Sequence, residues 1–283
     1  MSDMTTLIKK LREKTGAGFL DCKKTLEENG NDIEKSIEAL RKKGLAKASK
    51  KTDRSAIEGA VGVYINKEIT VLIKVNSETD FAAKSDTFLD FLDSLGKLIL
   101  ENNTKLDKDQ FLNLKYDNGT VQDYFNSMIA KIGENLILND LIVKENKSTD
   151  YSFYIHNSYR KNIGKIISLL EYSTSEKNNE IETLSKNLCM HIAAMKPDSI
   201  DVDDLDQNLI NSEEKIQKDL ILNSGKPSNI IDKILEGKMK KFYSEVTLLN
   251  QSYILDQDKT VRDVINQYTK SNFKLISFDL INL

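Results

Sequence analysis

The hydrophobic period of this chain changes near residue 59, and no single element accommodates both sides of the change. Before it, apolar residues recur at helical spacing: Leu7, Ile8 and Leu11, then Leu26, then Ile33, Ile37 and Leu40. After Gly59 they alternate, as Val61, Val63 and Ile65 and, past a tight turn at Asn66-Lys67, as Ile69, Val71, Ile73 and Val75. A period of 3.6 lines one face of a helix, whereas a period of 2 lines one face of a strand. The chain therefore opens as short helices and continues as a β-hairpin, which makes it α+β. Its 283 residues suit two or three domains.

The helical segment is punctuated by Gly16 and Gly18, then by Asn29-Gly30, with Asn31 or Asp32 able to cap the third helix. The basic, weakly apolar run from Lys42 to Lys51 reads as a linker, helical in part. Beyond the hairpin, Phe88, Leu89, Phe91, Leu92, Leu95, Leu98 and Ile99 cover a broad helical face. Thr120 and Asp123 form a capping-box pattern for a helix that ends at Gly133, and a strand follows from Leu136 to Val143. The same order then recurs. Phe153 to His156 and Ile163 to Tyr172 make a hairpin, and Ile181, Leu184, Leu188, Ile192 and Met195 mark its helix. Tyr64-Ile65-Asn66 and Tyr154-Ile155-His156 hold matching places, which suggests two similar α+β halves.

Residues 197–242 differ. An acidic stretch leads to a helix marked by Ile216 and Leu220, a sharp turn at Ser224-Gly225-Lys226-Pro227, and a second helix marked by Ile230, Ile231, Ile234, Leu235 and Met239. Two antiparallel helices with a narrow apolar seam form a projecting hairpin. Strands are expected near Val246 to Leu249, Tyr253 to Leu255 and Phe273 to Asn282, with a short helix at Thr260 to Tyr268 between them. The expected organisation is a helical bundle with linker over 1–54, a core half over 55–143 and a second half over 144–283, with an antiparallel helical hairpin inserted at 197–242.

Catalytic machinery is sparse. There is no Gly-x-x-x-x-Gly-Lys-Ser/Thr loop, and Gly16-Ala17-Gly18 lies between helices where a turn explains it. Cys189 and His191, two apart on a helix, do not face each other, and core burial of both is the favoured reading. Cys22 sits beside lysines that could lower its pKa, but no His partners it. Asp201-Val202-Asp203-Asp204 lacks the glycine and glutamate of a calcium loop. Two Cys and two His exclude a disulfide framework and leave little for a metal site. The net charge of −3 speaks against a dedicated nucleic-acid binder. No apolar run approaches a bilayer span, and the start resembles no signal or transit peptide. The expectation is a soluble, cytoplasmic protein that is not an enzyme and needs no cofactor.

Three features suit binding instead. Phe19-Leu20 is either a plug for the small bundle or an exposed contact. The Lys42 to Lys51 run is either a solvated linker or a nucleic-acid patch. In Thr79-Asp80-Phe81-Ala82-Ala83-Lys84, Phe81 is either a hydrophobic staple with Asp80 capping the helix, or an outward contact.

Taken in order, several blocks resemble the translation elongation factor Ts family. Arg12-Glu13-Lys14-Thr15-Gly16-Ala17-Gly18 with Asp21-Cys22-Lys23-Lys24 is similar to its amino-terminal signature, and Thr79-Asp80-Phe81-Ala82-Ala83 to its Thr-Asp-Phe-Val-Ala stretch. Lys131-Ile132-Gly133-Glu134-Asn135, Tyr154-Ile155-His156, Met190-His191-Ile192-Ala193-Ala194, Gly225-Lys226-Pro227, Glu236-Gly237-Lys238-Met239 and Leu249-Asn250-Gln251 extend the match. The resemblance implies a nucleotide-exchange factor for the GTPase elongation factor Tu, met in its GDP-bound and nucleotide-free forms. It also implies a bundle like a ubiquitin-associated domain, a two-part core that grips the partner, and a protruding helical hairpin.

By the same resemblance, Asp80 and Phe81, with Thr79 beside them, enter the GTPase domain and disturb its Mg²⁺ and phosphate site. Ile132 and Gly133 are further contacts, as are Arg12, Phe19 and Leu20 at the amino terminus. His156, Ile254 and Leu255 touch a different domain of the partner. Direct nucleic-acid or membrane binding is not implied; a homodimer or a heterotetramer stays open. Leu136-Ile137-Leu138 departs from members that carry arginines there. The alternative is a non-catalytic adaptor that binds another protein through the bundle and Phe19-Leu20; RNA binding by the lysine run is a third reading.

Overall fold

The structure is a computed structural model that describes residues 4–146, 148–223, 230–268, 270 and 272–283, with Leu45 and Lys47 as backbone only. The chain divides into two compact units, 1–146 with 157–166 and 281–283, and 147–156 with 167–280.

The first unit begins with α1 (Met4–Thr15), α2 (Phe19–Glu28) and α3 (Ile33–Ser49). Ile8, Leu11, Cys22, Leu26 and Leu40 form their small core. Asp32 caps α3 by accepting from Lys35 N at 3.0 Å. The run read as a linker from Lys42 is instead the continuation of α3 to Ser49. Ala48 is buried there, and α3 packs along a later helix, so tertiary contact extends what composition left ambiguous. Strands β1 (Glu58–Ile65) and β2 (Ile69–Ser77) pair antiparallel from Glu58↔Ser77 to Ile65↔Thr70. Then come α4 (Asp80–Lys84), α5 (Asp86–Asn102), α6 (Lys108–Leu112), β3 (Lys115–Tyr116), β4 (Gly119–Thr120), α7 (Val121–Ile132) and β5 (Leu136–Glu145). The capping box at Thr120 and Asp123 is present.

Strand β2 also pairs antiparallel with β5, with a bulge at Lys74/Val75. Phe88, Phe91, Leu92, Leu95 and Ile99 of α5 pack with Val71, Ile73 and Val75 into the main core. The fit is close at Gly96, where a Cβ would stand 2.1 Å from the Tyr64 ring. Any larger residue there would require the Tyr64 ring to move.

Strands β6 (Asp150–Arg160) and β7 (Ile163–Ser173) belong in part to each unit. In the second unit, α8 (Asn179–Met195) buries Leu184, Leu188, Cys189 and Ile192 with Leu170 and Tyr172 of β7. Ser168 Oγ donates to the Cys189 carbonyl at 2.6 Å, tying strand to helix. The inserted helices are α9 (Gln207–Asn223) and α10 (Ile231–Val246). Among the described residues, their seam buries Ile221, Leu235 and Met239, with Ile210, Ile231, Ile234, Phe242 and Tyr243 partly buried against them. The turn expected at 224–227 lies outside the described residues.

Val246 to Leu249 is not a strand. Val246 ends α10, Thr247 makes a single bridge with Ser199, and Leu248–Asn250 is a 3-10 turn. Leu248 and Thr247 are fully buried, and that burial accounts for the apolar run. A short hairpin, β8 (Ser252–Tyr253) and β9 (Asp256–Thr260), precedes α11 (Val261–Asn266) and β10 (Lys274–Asn282). Among the described residues no helix is long and apolar enough to cross a membrane.

Candidate functional site

In the first unit, three stretches far apart in sequence are knitted together where β2 ends. Thr79 is the N-cap of α4, its Oγ1 accepting from Ala82 N at 3.2 Å. Glu134 in turn receives both the Thr79 N–H (2.9 Å) and the Thr79 hydroxyl (2.6 Å). Glu78 accepts from Asn135 N at 2.7 Å and pairs with Arg54 at 3.5 Å. Asn135 Nδ2 donates to the Arg54 carbonyl at 2.8 Å, and the Lys51 ammonium donates to the Gly133 carbonyl. Gly133 caps α7 at φ +87°, a left-handed position that glycine takes without strain.

On this anchored turn, Ala82 and Ala83 face inward and are buried, while Phe81 is 85% exposed. The staple reading is overturned. With Thr79 as N-cap, Asp80 is the first helical residue and Phe81 the second, neither being the position before the cap that a staple requires. Asp80 pairs with Lys84 one turn on, at 2.8 Å, and that hydrogen bond holds its carboxyl below the ordinary range. A shallow depression lined by Ala82, Ser85, Thr87, Lys131, Ile132 and Glu134 lies beside the turn. Ile132 is half-buried and Gly133 exposed, and the bonds from Thr79 to the neighbouring Glu134 bring this segment to the turn.

Phe19 and Leu20 open α2 and are 48% and 78% exposed, so they do not plug the bundle. Arg12 and the Gly16 to Gly18 loop line a separate groove that also takes in Lys131. In the second unit, His156 is exposed on β6, with its Nδ1 3.2 Å from the Tyr154 hydroxyl. Ile254 and Leu255 are exposed between β8 and β9.

The groups weighed for chemistry are structural. Burial pushes the Cys22 thiol up, opposite to the lowering its lysines suggested. Cys189 and His191 are both fully buried. Asp201 accepts from Arg262 (2.6 Å), Asn250 and Val202, and so ties its own turn to the 3-10 turn at Leu248–Asn250 and to α11.

A family profile described as "Elongation factor TS" matches residues 78–282. The chain belongs to the elongation factor Ts family. Curated relatives agree: an elongation factor Ts of Erythrobacter litoralis is 41% identical over 262 residues, covering 91% of this chain and 84% of its own. The elongation factor Ts of Rhodospirillum centenum is 37% identical over 265 residues (94% and 86%), and that of Hydrogenovibrio crunogenus 37% over 278 residues (96% and 90%). By this membership the protein is a translation elongation factor. Within elongation factor Ts sequence, Thr79 to Lys84 and Ile132 to Asn135 fall inside the matched span, whereas Arg12, Phe19 and Leu20 precede it. Sequence reasoning named Thr79 and Gly133 but missed the carboxylate that joins them. Glu134 lies 55 residues from Thr79, and no spacing rule links such a pair.

Proposed function

We propose that the protein promotes GDP release from elongation factor Tu by inserting Phe81 into the partner's nucleotide domain, so that GTP can reload. The observation that carries this reading is Phe81 itself, a large apolar side chain exposed on a turn held in place by Glu134 and Glu78. Burying a phenylalanine removes roughly 150–250 Å² from water, a gross gain of about 4–6 kcal/mol at ~25 cal/mol per Å². If ordering and desolvation costs consume half, what remains is a coupling of roughly a hundredfold. Exchange needs only that coupling: whatever binds the nucleotide-free partner better than the GDP-bound one lowers GDP affinity by the same factor. No acid, base or nucleophile is required of this chain, which is a binding protein and not an enzyme.

In this reading Asp80 enters beside Phe81, Ile132 and Gly133 pack alongside, and Arg12, Phe19 and Leu20 make the amino-terminal contact. His156, Ile254 and Leu255 form a second contact surface on another domain of the partner. The test is reciprocity. Titration calorimetry of this protein into elongation factor Tu, with and without saturating GDP, should show GDP weakening its affinity about a hundredfold. Equal affinity for the two forms would refute the reading.

A further inference from the structure

Ile254 and Leu255 form the two-residue loop between Tyr253 and Asp256, which face each other in the β8–β9 hairpin. Such loops support themselves when they adopt the primed turn types, which require positive φ at the first or at both loop residues. Neither Ile254 nor Leu255 has positive φ, and bulky side chains disfavour it. The loop therefore lacks the primed geometry that matches the twist of the paired strands, and its conformation is open to contacts from outside the hairpin.

His191 of α8 supplies one. It is fully buried, stacked against Tyr253 with ring centroids 5.9 Å apart, and its Nδ1 accepts from the Ile254 backbone N–H at 3.2 Å. Its tautomer follows from its partners. Gln251 donates its side-chain amide to the carbonyls of Glu245 (2.8 Å) and Met195 (3.3 Å). Its Oε1 is thus the end that meets His191 Nε2, at 2.9 Å. That oxygen only accepts, so Nε2 carries the proton and Nδ1 keeps the lone pair that Ile254 needs.

We propose that His191 is a positioning residue for partner binding, holding the Ile254–Leu255 turn outward as a preformed contact. The proposal deepens the function argued above and rests on its assignment of Ile254 and Leu255 as partner contacts. A loop ordered before binding costs the complex less conformational entropy than one ordered during it.

Two substitutions separate the two nitrogens. An asparagine oxygen stands as far from Cβ as Nδ1 does, and a glutamine amide as far as Nε2. His191→Asn therefore keeps an acceptor for Ile254, whereas His191→Gln keeps the link to Gln251 and loses that acceptor. Two readouts are taken on the full chain: hydrogen exchange of the Ile254 amide, and affinity for elongation factor Tu. Expected are a protected Ile254 amide in the parent and in His191→Asn, and loss of protection in His191→Gln. The double variant Ile254→Ala, Leu255→Ala should bind about tenfold more weakly. His191→Gln should lose several-fold, His191→Asn should recover most of that loss, and His191→Gln should add nothing in the double-variant background. Unchanged protection in His191→Gln, or losses that multiply, would overturn the positioning role. Undiminished affinity of the double variant would instead remove the turn from the partner interface, and with it the reading on which the role rests.

Discussion

Phe81 and Phe88 lie seven residues apart, and the structure sends them to opposite fates. Phe88 is fully buried in the main core, while Phe81 stands in solvent. Phe88→Ala should therefore cost about 3–5 kcal/mol in urea unfolding, and Phe81→Ala within about 0.5 kcal/mol of nothing. Thr79→Ala removes the cap of α4 and should cost about 1 kcal/mol in the same assay. His191 gives a pH prediction. Burial pushes its pKa down, with the Gln251 hydrogen bond opposing in part. An unfolded chain takes up that proton near pH 6.5 while the folded one does not, so the unfolded state binds more protons in that window. Stability is then full above about pH 6.5 and is lost as pH falls through the folded pKa. Thermal melts between pH 7.5 and 5.5 should show this decline, and His191→Asn should flatten it. At this scale the sequence showed which residues were unusual but left their exposure open. A staple residue precedes the cap, and Phe81 follows both Thr79 and Asp80, so cap position argues against a staple whichever of the two caps the helix. How far Phe81 projects is set by the fold around the turn.

Long periodic helices were legible because their pattern repeats. The face of α5, the capping box of α7 and the seam of α9 with α10 all follow from spacing. Elements without a period were not. Val246 to Leu249 is four residues of apolar character, too short to distinguish a strand from a buried helix end. Lys42 to Lys51 looked solvated because its charges outnumber its apolar residues, yet small Ala48 lets α3 pack closely along α7. The elements should also differ in local stability. Among the described residues, the α9–α10 seam fully buries three side chains, against seven buried residues on α5 alone. Amide exchange followed by mass spectrometry should accordingly be fastest in α9 and α10 and slowest in α5 and β2. Comparable protection of the two sets would show that the hairpin is stabilised by more than its seam.

At the scale of the molecule, the order of a hairpin followed by a long helix occurs twice along the chain, as β1–β2 with α5 and β6–β7 with α8. The alternating runs made that order readable, but the paired Tyr-Ile motifs do not occupy matching places: Tyr64-Ile65 ends β1 at its turn, whereas Tyr154-Ile155 lies within β6. What joins distant stretches was not readable, since Thr79 to Glu134 and His191 to Ile254 are pairs that only folding brings together. In the proposed reading, the protein works through the surface that presents Phe81, and what matters is how that surface is held in shape. The most direct test is the release of a fluorescent GDP analogue from elongation factor Tu, chased with unlabelled nucleotide. Addition of this protein should accelerate release, and Phe81→Ala at equal concentration should slow the stimulated rate tenfold or more, about 1.4 kcal/mol or above, with an unchanged melting curve. Stimulation by Phe81→Ala equal to that of the parent would contradict the account.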